Sequence, residues 1–334
     1  MIQVYKYAII GFGALGKLHF NNLLEIEKKR KDIKLTAICN DDISTISKNV
    51  KINIGDVNID DVDFSQYNLY TDYKEMIEKE NLDFVFVTLP SFLHGEVCTY
   101  CLEHGVDVCV EKPMAITMEQ CDMMMKVAKE NNRKLMVGLC LRFSNEYRYL
   151  KKLIESGEYG KPVKAEFSRK SPYPSWSAGG WLLDEKKSGG CIVDMHIHDV
   201  DIAIWLFGVP EKVVAYTTHC RSEYESAFAL YKYPETVVSV IGDWGIASSY
   251  EFKASYSVTF EKAYVECVNG KVTLYTDENK QEMHFDNSET PYYREAIEFI
   301  EAVVDGKSFT TADIDSVYET MKVVFSEKGI RKSS

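Results

Sequence analysis

The sequence predicts an α/β chain of two domains: a doubly wound parallel sheet over residues 1–140, then an α+β domain with a large, mostly antiparallel open sheet over 141–334. Three observations predict this. A length of 334 residues exceeds the roughly 100–200 of one domain. The first 140 residues alternate short runs of consecutive apolar residues with longer helical patterns, and strands apolar on consecutive positions are buried on both faces, as in a parallel sheet covered by helices. From about 161 the pattern changes to strand-like segments without helices between them.

In chain order, the first-half strands are expected at 4–10, 35–39, 67–70, 84–89, 106–110 and 134–137. Right-handed crossovers through the intervening helices make this sheet doubly wound. The second-half strands are expected at 163–169, 212–220, 226–231, 236–243, 255–260, 264–268 and 271–275, followed by amphipathic helices at 292–304 and 313–328. Apolar residues at 46% and charged residues at 27% exclude disorder, collagen and coiled coil. No stretch approaches the ~20 apolar residues of a membrane span, and the first strand begins without a cleavable leader, so a soluble, unexported protein is expected. A net charge of -12 argues against binding nucleic acid or an anionic membrane. Nine scattered cysteines suit a reducing cytoplasm better than a disulfide framework.

The first strand runs directly into GFGALG, and a helical stretch follows. In this G-x-G-x-x-G spacing Gly11 permits the tight turn, Gly13 lets a pyrophosphate approach the backbone, and Gly16 lets helix and strand pack closely; Phe12, Ala14 and Leu15 complete the loop. The helix start offers unpaired N–H groups to a dinucleotide, which gives a Rossmann-type domain. An acid is expected at the end of the second strand to bind the adenosine ribose. Asn40 occupies that slot and Asp41 follows, while Asp42 is read as a helix cap. With no Arg nearby to receive a 2′-phosphate, NAD is favoured over NADP.

Downstream stand VTLPSFLHGEVCTYCLEHGVDVCVEKPMAITMEQ and SGGCIVDMHIHDVDIAIWLFG, with an RF step at Arg142 and Phe143 and the link ESGEYGKP. With the glycine loop, these segments resemble the Gfo/Idh/MocA family of nicotinamide-dependent sugar and polyol oxidoreductases. The resemblance implies that Glu111-Lys112-Pro113 lies at the nicotinamide end of the cofactor, that Thr88, Leu89, Pro90 and His94 line it, and that Asp194 and His198 face cofactor and substrate from the second domain. It also places Trp181 near cofactor or substrate, although Leu182 and Leu183 stand where relatives often carry Arg.

The residues themselves agree. Lys112 follows an apolar strand, at the carboxyl end where open α/β sheets place ligands, and Pro113 disfavours helix there and suits a cis bond. On a helix from Asp194 to Phe207, Asp194 and His198 share a side while His196 points away. A carboxylate can then fix an imidazole tautomer for proton transfer. The expected substrate-binding set is Arg142, Tyr173, Trp181, Asp194 and His198, with Trp176 as a further aromatic nearby. No metal site is expected. His94, Cys98, Cys101 and His104 share a helical face but span about 15 Å, too far for one zinc, and the imidazoles of the Asp194–Asp199 cluster diverge on a helix.

The expected reaction is hydride transfer between NAD and a secondary hydroxyl of a neutral sugar or cyclitol, with His198 as base, Asp194 orienting it and Lys112 stabilising charge on the oxygen. Two other classes use the same parts: an NAD-retaining, redox-assisted glycosidase, and a non-catalytic sensor of NAD or sugar. An open sheet with apolar alternation (TVVSVIGDW) needs a cover, which relatives provide between subunits, so a homodimer or homotetramer is expected.

Overall fold

A computed structural model describes residues 3–52, 55–175 and 177–329. The chain divides into two compact units, Met1–Gly138 with Tyr292–Ile314, and Leu139–Pro291 with Asp315–Ser334.

In the first unit the elements run β1 (Tyr5–Ile10), α1 (Ala14–Lys29), β2 (Ile33–Cys39), a small hairpin β3 (Val50–Ile52) and β4 (Gly55–Val57), β5 (Asn68–Tyr70), α2 (Tyr73–Lys79), β6 (Phe84–Val87), α3 (His94–Glu103), β7 (Asp107–Glu111), α4 (Met118–Glu130) and β8 (Leu135–Gly138). The main sheet has the order β5-β2-β1-β6-β7-β8, and every pairing in it is parallel. The order reverses between β1 and β6, so the loops after these two strands flank the crevice where doubly wound sheets hold dinucleotides. Strands β6, β7 and β8 are buried at every residue, as the apolar runs of β6 and β8 and the VCV centre of β7 require; Asp107 and Glu111 are buried at the ends of β7. Strand β6 ends at Val87, so Thr88 and Leu89, expected in the strand, lie in the crevice loop instead.

The second unit contains α5 (Asn145–Ser156), β9 (Pro162–Pro172), a short α6 (Glu185–Ser188), a π-helical turn (Ile192–His196) continuing into α7 (Ile197–Phe207), and strands β10 (Lys212–Thr218), β11 (Ser226–Lys232), β12 (Val237–Ile246), β13 (Lys253–Phe260), β14 (Tyr264–Val268), β15 (Lys271–Tyr275) and β16 (Lys280–Met283). The eight strands form one sheet, β10-β11-β12-β9-β13-β14-β15-β16, antiparallel except where β9 meets β12. Alternation assigns the faces. Ala229, Tyr231, Val238 and Val240 are buried, and α7 packs against β9 and β12. On alternate positions Tyr216, Phe228 and Leu230 are exposed, the last at 54%. Strand β16 was not expected, because KQEM carries no apolar alternation.

Two helices close the chain, α8 (Pro291–Val304) and α9 (Ile314–Gly329). The expected boundary put both in the second domain. Instead α8 belongs to the first unit, where the Phe299 ring packs edge-on against Phe84 and Phe86 at 5.8 and 5.5 Å. Amphipathic spacing shows that a helix must cover a sheet but not which one.

Candidate active site

The glycine turn leaves β1 at the centre of its sheet. Gly11 has φ +92°, and a Cβ there would lie 2.9 Å from the Leu89 backbone nitrogen. A Cβ on Gly16 would stand 2.1 Å from the Gly11 carbonyl oxygen, to which the Thr88 hydroxyl donates. Only glycine lets helix and strand approach this closely. Gly13 is exposed, and a Cβ there would meet nothing within 4 Å, so open space lies over the one glycine assigned to the pyrophosphate. Helix α1 has no acid in its first turn and no side-chain cap, which leaves its amide donors and dipole for an anion. The residues present therefore fit a dinucleotide. Ala14 and Leu15 are half-buried, whereas the Phe12 ring is buried edge-on to Phe20 and Phe64.

Asn40 is turned inward. Its Oδ1 accepts the Phe12 N–H at 2.8 Å, and its Nδ2 donates to the Asp42 carbonyl at 2.9 Å and the Thr45 hydroxyl at 3.2 Å. It fastens the glycine loop to the segment after β2. Asp41 is exposed. Asp42 caps a short 3-10 turn by accepting the Ser44 N–H, and the Ser44 hydroxyl first, then this N–H, hold its carboxyl below the usual range. Sequence reasoning missed Lys17, which is buried on α1 and donates to the carbonyls of Thr45 and Lys48 at 2.8 and 2.6 Å. Burial, then the charge of Lys48, holds its ammonium below the ordinary lysine value.

Beyond β6, Thr88, Leu89 and Pro90 are half-buried. His94 is fully buried, with Nδ1 2.8 Å from the Pro113 carbonyl and Nε2 2.8 Å from the Leu89 carbonyl. The ring thus sits between the loop after β6 and the turn after β7, and burial pulls the imidazole below its ordinary value, so that the neutral ring donates its one N–H to one of the two carbonyls. Glu111, the last residue of β7, is buried against His19. Lys112 follows, half-buried, and its bond to Pro113 is cis. Cys98 and Cys101 are buried residues of α3, as expected of that helical face.

In the second unit the segment carrying Asp194 is not the plain helix expected. Its π turn spans Ile192–His196, and π turns concentrate at functional sites. Of residues 191–200, Asp194 and His198 are half-buried and the other eight are buried. His196 does point into the interior: its Nε2 lies 2.9 Å from Glu327, to which the Tyr231 hydroxyl also donates. A Cβ on Gly242 would stand 2.7 Å from the His196 Cβ, so β12 makes room for this imidazole.

Arg142 is fully buried and bidentate to Asp201 at 2.9 and 2.6 Å, with Thr320 donating to the same carboxylate. This edge of the guanidinium is spent on Asp201 of α7. Arg169 grips Asp199 in the same way. Tyr173 is half-buried and donates to the Arg221 carbonyl at 3.3 Å, while the Arg221 guanidinium lies 4.4 Å over its ring. Arg221 belongs to no motif, and nothing in the sequence pointed to it. Trp181 is half-buried in the 3-10 stretch Ala178–Leu183; Trp176 lies outside the described residues.

Residues 5–139 match the model of the oxidoreductase family with the NAD-binding Rossmann fold, and residues 147–266 match the GFO/IDH/MocA C-terminal domain. The chain is 30% identical over 214 residues to 2,7-anhydro-N-acetylneuraminate hydratase of Mediterraneibacter gnavus, covering 64% of this chain and 52% of that protein. It is 29% identical over 204 residues to myo-inositol 2-dehydrogenase of Thermotoga maritima, covering 61% and 55%. The chain thus spans about half the length of the curated relatives it matches. Among solved structures, myo-inositol 2-dehydrogenase from Lactobacillus plantarum superposes with a TM-score of 0.78 at 25% identity, over 98% of this chain and 97% of that one.

Proposed function

The chain belongs to the Gfo/Idh/MocA oxidoreductase family, and from that premise we propose that it transfers a hydride between NAD and a secondary hydroxyl of a sugar or cyclitol. One observation carries the reading: in a run of ten residues packed into the second unit, the two that are half-buried rather than buried are the carboxylate and imidazole suited to proton transfer. His198 takes the hydroxyl proton, and Asp194 orients the imidazole and balances its charge. Lys112 offers an ammonium to the oxygen as negative charge develops on it. Bound at the glycine turn, NAD supplies the hydride acceptor. Gly11, Gly13 and Gly16 shape its diphosphate site, and Asp41, exposed beyond β2, is the carboxylate for the ribose and against a 2′-phosphate.

A polyol suits this set because its neighbouring hydroxyls fix one carbinol in reach. With Arg142 committed to Asp201, a doubly charged phosphate loses one of the two cations the sequence offered it. The inositol dehydrogenases among the relatives support the cyclitol reading. The hydratase supports a second one, in which oxidation and re-reduction leave no net NADH. A panel of inositols, hexoses, glycosides and a hexose phosphate, run with NAD and with NADP and followed by NADH absorbance and product analysis, separates the two. Net NADH from a neutral polyol is expected; product formed without it would favour the second reading.

A further inference from the structure

One buried polar cluster in the first unit has no role in the scheme above. His19 on α1, Glu111 at the end of β7 and Glu295 on α8 are 1%, 5% and 0% exposed, and one nitrogen or oxygen from each lies within 4.8 Å of the others. His19 Nε2 is 2.7 Å from Glu111 Oε1, and the Lys112 backbone N–H donates to Glu111 Oε2 at 3.2 Å. Among the described residues, no donor reaches either oxygen of Glu295, and Nδ1 of His19 has no hydrogen-bond partner. A Cβ on Gly138 would lie 2.9 Å from Glu295 Oε1, so the sheet leaves space for this carboxyl.

Three such side chains suggest a metal ion, but the geometry favours a proton. The His19–Glu111 separation of 2.7 Å is a hydrogen bond, shorter than the ~3.3 Å between ligands around a zinc with ~2.0 Å bonds. With no acceptor at Nδ1, the imidazole meets Glu111 through its Nε2–H. The other titratable groups against Glu295 are Glu111, Glu298 and Cys109, and none is a cation. Two ionised carboxylates in so dry a place would repel without compensation, whereas a shared proton turns repulsion into a hydrogen bond. Burial first, and the charge of Glu111 second, accordingly drive the Glu295 carboxyl well above the usual carboxylate range.

We propose that Glu295 is a positioning residue: as a neutral carboxylic acid it donates to Glu111, locking that carboxylate, the Lys112 backbone bonded to it, and the helix behind the glycine turn into one arrangement. The effect on turnover rests on the catalytic reading of Lys112; the shared proton does not.

The test uses the full chain as purified. The infrared difference between wild type and Glu295→Gln at about pH 8 should show one protonated-carboxyl band lost in the variant. The sign of the linkage gives a second readout. An acid raised in the folded state stabilises the fold at low pH and loses that contribution as pH rises, so the Tm of Glu295→Gln should gain on wild type between about pH 5 and pH 8. On a substrate that wild type turns over, Glu295→Gln should keep kcat within about 3-fold while Glu295→Leu lowers it at least 10-fold with NAD binding retained. Absence of the band, or stoichiometric metal in the purified protein, would overturn the shared proton. A band present with wild-type kcat in Glu295→Leu would overturn the positioning role. Wild-type turnover in Lys112→Met would instead overturn the catalytic reading, leaving the band unaffected.

Discussion

Lys112 and His198 reach their proposed tasks from different backbones, the first at the end of a buried strand and the second where a π turn becomes an α-helix. Lys112→Met or His198→Ala should cut turnover at least ~10²-fold while NAD binding survives better, as calorimetric titration beside steady-state rates would show. Near-wild-type rates in either variant would remove that residue from the chemistry. Arg142 has a different kind of importance. Arg142→Met leaves the Asp201 carboxylate buried with Thr320 as its remaining donor in the pair described, so it should cost about 3–5 kcal/mol in denaturant unfolding. A cost under about 1 kcal/mol would mean that water reaches the site. These residues also mark the limit of sequence reading. Motif spacing located Arg142, His94 and Asn40, but their hydrogen bonds turn them toward protein groups, and no spacing rule says which way a polar side chain will face.

At the scale of elements, the glycine turn was legible because each glycine answers a local steric demand. A Gly16→Ala methyl would overlap the Gly11 carbonyl, so this variant should lose NAD affinity at least ~10-fold and a few kcal/mol of stability, both measurable by titration with thermal unfolding. Unchanged NAD affinity would show that the turn can widen. The segment around Asp194 was legible only in part. Its apolar periodicity announces a helix, but a π turn adds one residue per hydrogen-bonded ring without changing the residue types, so its place stayed hidden. The partner of His196 was equally hidden, because Glu327 lies on α9, far along the chain.

For the whole molecule, the order of strands and helices gave both large sheets, and what it missed were the pieces that weak alternation or long-range return decides, the β3–β4 hairpin, β16 and the place of α8. The large sheet has an outer face carrying Tyr216, Phe228 and Leu230 in exposed positions, Tyr216 paired with Phe228 across neighbouring strands, an apolar cluster that association would cover. Self-association through that face is the expected remedy. The chain should run as a dimer or tetramer by light scattering at micromolar concentration, and Phe228→Asp with Leu230→Asp should shift it toward monomer. A wild-type monomer would contradict this. The central claim, that this fold carries an NAD-dependent polyol oxidoreductase, is tested most directly by kcat/KM for inositols, hexoses, a hexose phosphate and isopropanol with NAD. The account predicts net NADH from a neutral cyclic polyol and its loss in Lys112→Met; a preference for the phosphate or for isopropanol would contradict it.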